Sequence, residues 1–445
     1  MRKPNALSIA GIDTGGGAGA ESDVKAFEML GVHGLVAVTA ITAQNTKGIR
    51  SIYPIPANSL REQIRTLKDD FQIDAVKIGM IYERDQFLAV KEEVEELKQV
   101  VVDPVLTAKD GTALIRDVEI YRSTIMELPC IVTPNSVEAE ALSKVSIRDL
   151  ESMKRAAETI VNLYGVKAVI IKGGHISGEK SVDLLYDGKD FEYVSYPRVS
   201  QRNTHGTGSL FAAALTALLA KGFDLNSSFL KAKEIVYQAI LDGLEIGKGI
   251  GPVDPVSSLE RRAMRFEVIE EMNELAEFIR DSPKFYLLIP EVQSNVAHSI
   301  PTPYVRDLCD IATYKGRITR YGDSAVKVNL PAVFCRPTHT ARLLFSIIEK
   351  GVKANTLMNI RFDPKVVSLF KDMGIDVVEV NRELEPRGEE GKSMQWIVDF
   401  LSNTYGKIPG VIYDTGTKGK EAMIRFWASS MEEFKDRIKT LLRGL

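Results

Sequence analysis

The sequence predicts an α/β protein of two units. The first is a mostly parallel sheet sandwiched by helices, and the second is a smaller α/β unit. Three observations carry this. Short β-branched or apolar runs alternate with segments of three-to-four-residue apolar spacing over about the first 255 residues. The stretch GKGIGPVDPVSS, dense in glycine and proline, then breaks the alternation. Beyond it, strand-like runs are denser per residue and do not repeat the first half.

In the first unit ALSIAG, GLVAVTAI, DAVKIGM, QVVVDPV, CIVTPN and KAVIIKGG read as strands. SDVKAFEMLG, ANSLREQIRTLKDDF and LESMKRAAETIVNLYG read as helices between them. LLYDGKDFEYV departs from the pattern, because Asp187-Gly188 suits a type I′ hairpin turn. Helices are expected over Ser209 to Lys221 and Phe229 to Ile246. The first domain is placed at 1–256 and a connecting helix at 257–282. Ser257 and Glu260 have capping-box spacing at its start. Ile269, Met272, Leu275 and Ile279 form its apolar face, and it stops near Pro283. Such a face packs on a core or, less often, dimerises. The second domain covers 283–445, with segments such as GRITRYGDSAVKVNL, HTARLLFSIIEKG, NTLMNIRF, GVIYDTG, EAMIRFWA and a last helix MEEFKDRIKTLLRGL.

The 445 residues carry a net charge of -3, which argues against a broad nucleic-acid or anionic-membrane surface. Cys130, Cys309 and Cys335 are few and scattered, so a reducing cytoplasm is expected and a disulfide scaffold is not. The opening MRKPNALSIAGID lacks a signal-peptide pattern. The longest apolar run, Leu210 to Ala220, falls short of the roughly 20 residues a membrane helix needs. His33, His175, His205, His298 and His339 show no metal-ligand spacing. Small-molecule substrates are the expected partners, and a homo-oligomer is allowed.

Two glycine-rich segments suggest anion binding. NTHGTGS, Asn203 to Ser209, runs straight into an apolar helix. Backbone N–H groups at such a turn, helped by the helix dipole, hold phosphate. IDTGGGAGAESDVKAF follows the first strand, but it is not a Walker A loop, and Gly15, Gly17 and Ala20 only loosely mimic a dinucleotide fingerprint. GEEGKS, Gly388 to Ser393, imitates a Walker A end without a leading strand.

AGIDTGGGAGAESDVKAF, TAITAQNT, VKIGM, VVDPV, VTPNSVEAEAL, IIKGGH and NTHGTGS occur in this order. Together they resemble the hydroxymethylpyrimidine/phosphomethylpyrimidine kinases of thiamine biosynthesis, which have a ribokinase-like fold, over about residues 4–255. The resemblance implies that Gly11, Asp23, Gln44 and Met80 bind the aminopyrimidine. It implies an ATP site at Asp103, Asn135, Glu138 and Lys172, with magnesium at Asp103 and Glu138. Gly206, Gly208 and Ser209 would be catalytic. Taken singly, Gln44 also reads as a capped loop amide, Glu138 as a helix-start charge and Lys172 as a solvated strand end. Ser209 departs from the family, which usually has cysteine there. Either the serine orients the substrate hydroxyl while amides and magnesium carry the charge, or the kinase is slow or limited to one of its steps.

In the second unit Arg317 and Arg320 lie on or near a strand, and His339 opens a helix between Arg336 and Arg342. YDTGTKGKEAMIRF adds Asp414, Gly416, Gly419, Lys420 and Arg425. Cations beside glycine turns suggest a polyanionic substrate. In this order after a pyrimidine kinase, these segments resemble a ThiN-type thiamine-phosphate synthase, over about residues 283–445. The resemblance implies condensation of the pyrimidine diphosphate with thiazole phosphate. Arg320 and His339 would assist the departing diphosphate, and Arg342, Asp414, Gly416, Lys420 and Arg425 would bind phosphate. Two other readings stand beside it: a non-catalytic domain that senses thiamine phosphate, and a vitamin B6-type kinase in the first unit.

Overall fold

The runs AVKI, VVV, IV and AVII are buried along their whole length. Strands covered by helices on both faces read this way. The computed structural model describes residues 2–108, 111–174, 176, 178–322, 324–384, 393–417 and 421–445. Its contacts divide the chain into Met1–Leu259 and Glu260–Leu445.

The first unit begins with β1 (Asn5–Asp13), α1 (Gly19–Met29), β2 (His33–Asn45), β3 (Gly48–Pro54), α2 (Ala57–Asp70), β4 (Ala75–Ile78) and α3 (Arg84–Val94). It continues with β5 (Val100–Val102), α4 (Val118–Arg122), β6 (Ile131–Val132), α5 (Ser136–Ser143), α6 (Leu150–Tyr164) and β7 (Ala168–Ile171). β8 (Lys180–Tyr186), β9 (Phe191–Pro197), α7 (Thr207–Ala220) and α8 (Leu225–Leu241) complete it. The sheet order is β3-β2-β1-β4-β5-β6-β7-β8-β9. From β2 to β7 every neighbour is parallel, and the hairpin partners β3, β8 and β9 are antiparallel.

Alternation along these strands divides the core. Leu7, Ile9, Val76, Ile78 and Val102 pack with Leu60, Phe87 and Ile160 of α2, α3 and α6. Ala6, Val101 and Ile170 pack with Phe27, Phe211 and Phe229 of α1, α7 and α8. Helix α7 is buried from Leu210 to Leu219, as a helix apolar all round must be. Two boundaries differ from expectation. The hairpin loop is longer than a two-residue turn, since Tyr186 pairs with Phe191 and the Asp187 carboxylate accepts from the N–H groups of Lys189 and Asp190. Helix α8 starts earlier because Asp224 caps it, accepting from the Ser227 N–H.

The second unit is built on α9 (Ser257–Asp281), whose first turn contains the boundary. It contains β10 (Val296–Ser299), β11 (Ile311–Tyr314), β12 (Ile318–Tyr321), β13 (Ala325–Val328), β14 (Ala332–Val333), α10 (His339–Glu349), β15 (Thr356–Arg361) and α11 (Pro364–Asp372). β16 (Val377–Glu379), α12 (Ser393–Tyr405), β17 (Val411–Asp414), β18 (Met423–Ala428) and α13 (Met431–Gly444) follow. The sheet order is β14-β11-β10-β15-β18-β17-β16, antiparallel except for β16 and β17, with β12 and β13 a separate ribbon. Met272, Leu275 and Ile279 of α9 are buried in this unit's core. Asp310 fixes the start of that helix, bonded to Arg261 at 2.6 Å and Arg265 at 2.9 Å.

The cysteine expectation needs correction. Cys309 and Cys335 are joined in a disulfide across 26 residues of chain. Their separation in sequence hid the pair, because the turn before β11 and the segment after β14 meet only in the fold. Cys130 is free and buried, and burial pushes its thiol up to about 12.

Candidate active site

In the first unit the polar residues gather at the carboxyl ends of β1, β2, β4, β5, β6 and β7. Open parallel sheets bind ligands there. The two glycine-rich segments interlock at this edge. Gly206 has φ 80°, and a Cβ on it would lie 1.8 Å from the Gly17 carbonyl oxygen. A Cβ on Gly17 would lie 2.5 Å from the His205 ring. Only glycine lets the loops approach this closely. Asp13 draws the first loop together, accepting from the N–H groups of Gly15, Gly17 and Ala18 at 2.8, 3.1 and 3.0 Å. Its other contact is His205 Nε2 at 2.9 Å. Burial raises the Asp13 carboxyl, but the His205 and backbone bonds outweigh it and hold the group below its ordinary range.

Gly11 and Met80 come together, since a Cβ on Gly11 would lie 3.1 Å from Met80 Sδ. Gln44 Nε2 lies 3.2 Å from His205 Nε2, which places the end of β2 beside the glycine turn. Asp23, expected to bind the aminopyrimidine, is instead fully buried behind Ser209, because it pairs with a buried lysine. Its neighbours there are Ser8 and Lys77.

Lys172 Nζ lies 2.9 Å from Asp103 Oδ1. This pair stands against the start of α7, where a Cβ on Gly208 would meet Lys172 Nζ at 3.1 Å. Asn135 and Glu138 form a capping box at α5, with bonds of 2.9 and 2.7 Å. Burial pushes the Glu138 carboxyl up to about 7; Lys172 opposes the shift and Asp103 adds to it. Two crowded carboxylates suit a cation, and magnesium needs only one or two of them beside phosphate oxygens and water. Among the described residues no three His, Cys, Asp or Glu side chains cluster as a metal cage.

In the second unit His339 is the first residue of α10, which Thr338 caps by accepting from the Ala341 N–H. Burial holds the His339 imidazole below its ordinary range, and the charges of Arg342, Arg425, Arg317 and Arg382 add to the effect. Arg425 Nη1 is 2.8 Å from Asp414 Oδ2, and Arg382 Nη1 is 3.7 Å from the same oxygen. Asp414 Oδ1 accepts from the Gly416 N–H at 3.2 Å. A cavity of about 510 Å³ is lined by Arg382, Asp414 and Gly416 together with Glu379, Asn381 and Thr415. Arg320, on β12, donates to the Ile289 carbonyl at 2.8 Å. Lys420 lies outside the described residues.

The family described as phosphomethylpyrimidine kinase matches residues 13–254. The chain belongs to that family. The description thiamine-phosphate synthase ThiN matches residues 271–440. The kinase of Bacillus subtilis is 43% identical over 254 residues, covering 56% of this chain and 93% of the relative. A thiamine biosynthesis bifunctional protein, ThiED, of Geobacter sulfurreducens is 39% identical over 258 residues, covering 57% of this chain and 52% of that one. Among solved structures, the pyridoxal kinase of Staphylococcus aureus with AMP-PCP and pyridoxal is 34% identical with a TM-score of 0.53, covering 57% of this chain and 94% of that one. The chain is a bifunctional enzyme of thiamine biosynthesis, an ATP-using kinase joined to a thiamine-phosphate synthase domain.

Sequence reasoning gave no role to Lys77, Asp13 or Arg382. Lys77 left a usable signal: a lysine inside the apolar run DAVKIGM needs a carboxylate partner once the strand is buried. Arg382 left none, since its partner Asp414 stands 32 positions further along the chain.

Proposed function

We propose that the kinase unit phosphorylates hydroxymethylpyrimidine on its hydroxymethyl oxygen and then phosphorylates the resulting phosphate. The observation that carries this is the convergence of Gly206, Gly208, Ser209 and the Lys172–Asp103 pair at the start of α7. Backbone N–H groups there receive the charge that spreads over the transferred phosphoryl group. Gly11, Gln44 and Met80 hold the pyrimidine. Asp103 and Glu138 would hold magnesium, whose part when bound with ATP is to neutralise phosphate charge.

The synthase unit joins the diphosphate to thiazole phosphate. The bond from the pyrimidine methylene carbon to the diphosphate oxygen breaks, and a bond from the thiazole nitrogen to that carbon forms. Arg320 and His339 stabilise the departing diphosphate, while Arg342, Arg425, Lys420 and the turn at Gly416 bind phosphate oxygens. Asp414 positions Arg425. We place the enzyme in the cytoplasm, where its phosphorylated substrates would be retained; no described helix is long and apolar enough to cross a membrane. A second reading of the kinase pocket, turnover of pyridoxal, is favoured by the pyridoxal bound in a kinase of the same fold.

Mass-resolved product analysis with ATP, magnesium, hydroxymethylpyrimidine and thiazole phosphate tests the assignment. Thiamine phosphate is expected from the parent, with pyrimidine diphosphate accumulating in Arg320→Ala. Diphosphate without thiamine phosphate from the parent would overturn the synthase role and favour a sensing domain. Turnover of pyridoxal alone would replace the pyrimidine.

A further inference from the structure

Left unassisted, a serine hydroxyl such as that of Ser209 at the start of α7 is a poor proton acceptor. The residues behind it supply the assistance. Lys77 Nζ is 2.7 and 2.8 Å from the two oxygens of Asp23 and 2.9 Å from Ser209 Oγ. Ser209 Oγ in turn donates to Asp23 Oδ1 at 3.1 Å, and Ser8 Oγ donates to Asp23 Oδ2 at 2.6 Å. The side chains of Lys77 and Asp23 are 1% and 0% exposed, while Ser209 is half-buried. The serine is therefore the one member of this group that a substrate hydroxyl can reach. Its proton already points at a carboxylate, one lone pair is taken by an ammonium, and the other lone pair remains for the substrate.

We propose that Asp23 is the final proton acceptor in phosphorylation of the alcohol, reached through Ser209 Oγ, with Lys77 holding both in register. The inference rests on the kinase reading above. As the substrate oxygen bonds to the γ-phosphorus, its proton moves to Ser209 Oγ and the Ser209 proton moves to Asp23 Oδ1. The bond from the γ-phosphorus to the β,γ-bridging oxygen breaks, and its electron pair leaves on ADP. When product departs, Asp23 passes its proton back to Ser209 Oγ, which releases one to water, so each turnover frees one proton to solvent. Burial raises the Asp23 carboxyl and Lys77 opposes the rise, leaving it a better acceptor than an exposed aspartate. Burial raises the carboxyl of Glu21 on the same helix, and the charge of Asp23 adds the smallest of the influences on that group. Once Asp23 is neutral, the Lys77 charge is uncompensated while negative charge collects at the start of α7. The relay thus adds electrostatic stabilisation when it is needed.

The two phosphorylations by one site should then differ. The first attacks with an alcohol, which must lose a proton. The second attacks with a phosphate monoester oxygen, largely ionised at neutral pH because its second pKa is about 6. The relay serves the first step far more than the second.

The test measures kcat for each step separately, by mass-resolved turnover of hydroxymethylpyrimidine and of its monophosphate. Parent, Ser209→Ala, Ser209→Cys and the double variant Asp23→Asn/Lys77→Met are compared, with thermal midpoints as a folding check. Removing both charges avoids leaving a lone buried ammonium. In Ser209→Ala and in the double variant, the first step should fall about 10²–10³-fold more than the second. Ser209→Cys should restore the first step, because a thiol ionises far more easily. Equal losses in both steps, or no loss in Ser209→Ala, would overturn the relay and leave the kinase assignment standing. A double variant that does not fold leaves Ser209→Ala and Ser209→Cys to decide. A parent that phosphorylates neither pyrimidine would overturn the kinase reading and the relay with it.

Discussion

The kinase and synthase units both handle phosphate, but from different materials. In the kinase the receiving surface is backbone, at a glycine turn packed so tightly that the Gly17 carbonyl would lie 1.8 Å from a Cβ on Gly206. Its charged groups come as matched pairs, Lys77 with Asp23 and Lys172 with Asp103. In the synthase the comparable feature is a group of arginine side chains around His339. Arg317, Arg342, Arg382 and Arg425 all act on His339. Asp414 pairs with two of them. Backbone sites depend on shape and tolerate no added atom; cation sites depend on charge balance.

The sharpest way to break this comparison is Gly206→Ala, which changes no charge. The φ of 80° and the contact with Gly17 both forbid the methyl group. Kinase turnover should fall by about 10²–10³-fold, the loss expected when an oxyanion-type donor is displaced. Synthase turnover of supplied pyrimidine diphosphate should be retained. Parallel assays of the two reactions check this, and a kinase that tolerates the methyl group would show that side chains carry its anion site.

The counterpart in the synthase is Asp414→Ala, which removes charge and little shape. The side chains of Arg425 and Arg382 are 10% and 7% exposed, so their charges have little access to water. Removing one partner of a buried ion pair costs about 3–5 kcal/mol. Urea unfolding of the full chain should show a transition weakened by roughly that amount, while the thermal shift produced by ATP analogues at the kinase site persists. A variant as stable as the parent would mean that the arginines do not depend on Asp414.

Gln44→Ala should have a smaller effect. Gln44 touches His205, the residue before the turn, and not Ser209. Losing one substrate hydrogen bond costs about 0.5–1.5 kcal/mol. The KM for hydroxymethylpyrimidine should rise by about 2- to 13-fold, with kcat within about 3-fold, the pattern of uniform binding. Pyridoxal, which lacks the ring amino group, should be much less affected. A matching fall in kcat would instead assign Gln44 to holding the catalytic turn.

The same contrast explains what the sequence disclosed. The kinase sheet was legible because each strand is a short apolar run ending in a glycine, proline or polar turn. Its glycine motifs are contiguous, so NTHGTGS announced both a turn and a helix start. What escaped was pairing at a distance: Lys77 to Asp23 spans 54 positions and Asp13 to His205 spans 192. The synthase was harder. β10, β11 and β14 are four, four and two residues long, too short for a period to show. Its arginines gain meaning only from neighbours on other elements. Arg317 and Arg382 were not assigned a role, although their charges reach His339 as those of Arg342 and Arg425 do.

The smallest effect concerns the protonation of His339. Burial and then four arginines hold its folded value below the ordinary 6.5. The stability it contributes is present above about 6.5 and is lost as pH falls from there through the folded value. Parent and His339→Asn should therefore diverge in unfolding midpoint only on the acid side, with the parent losing more. The imidazole of the unliganded site is neutral at pH 7, so it can donate a proton to diphosphate only after the anion has arrived and offset the arginines. Inorganic pyrophosphate should accordingly raise the His339 titration midpoint, followed by the NMR shift of its ring protons. Unchanged titration in saturating pyrophosphate would separate His339 from the leaving group and leave the arginines to stabilise it alone.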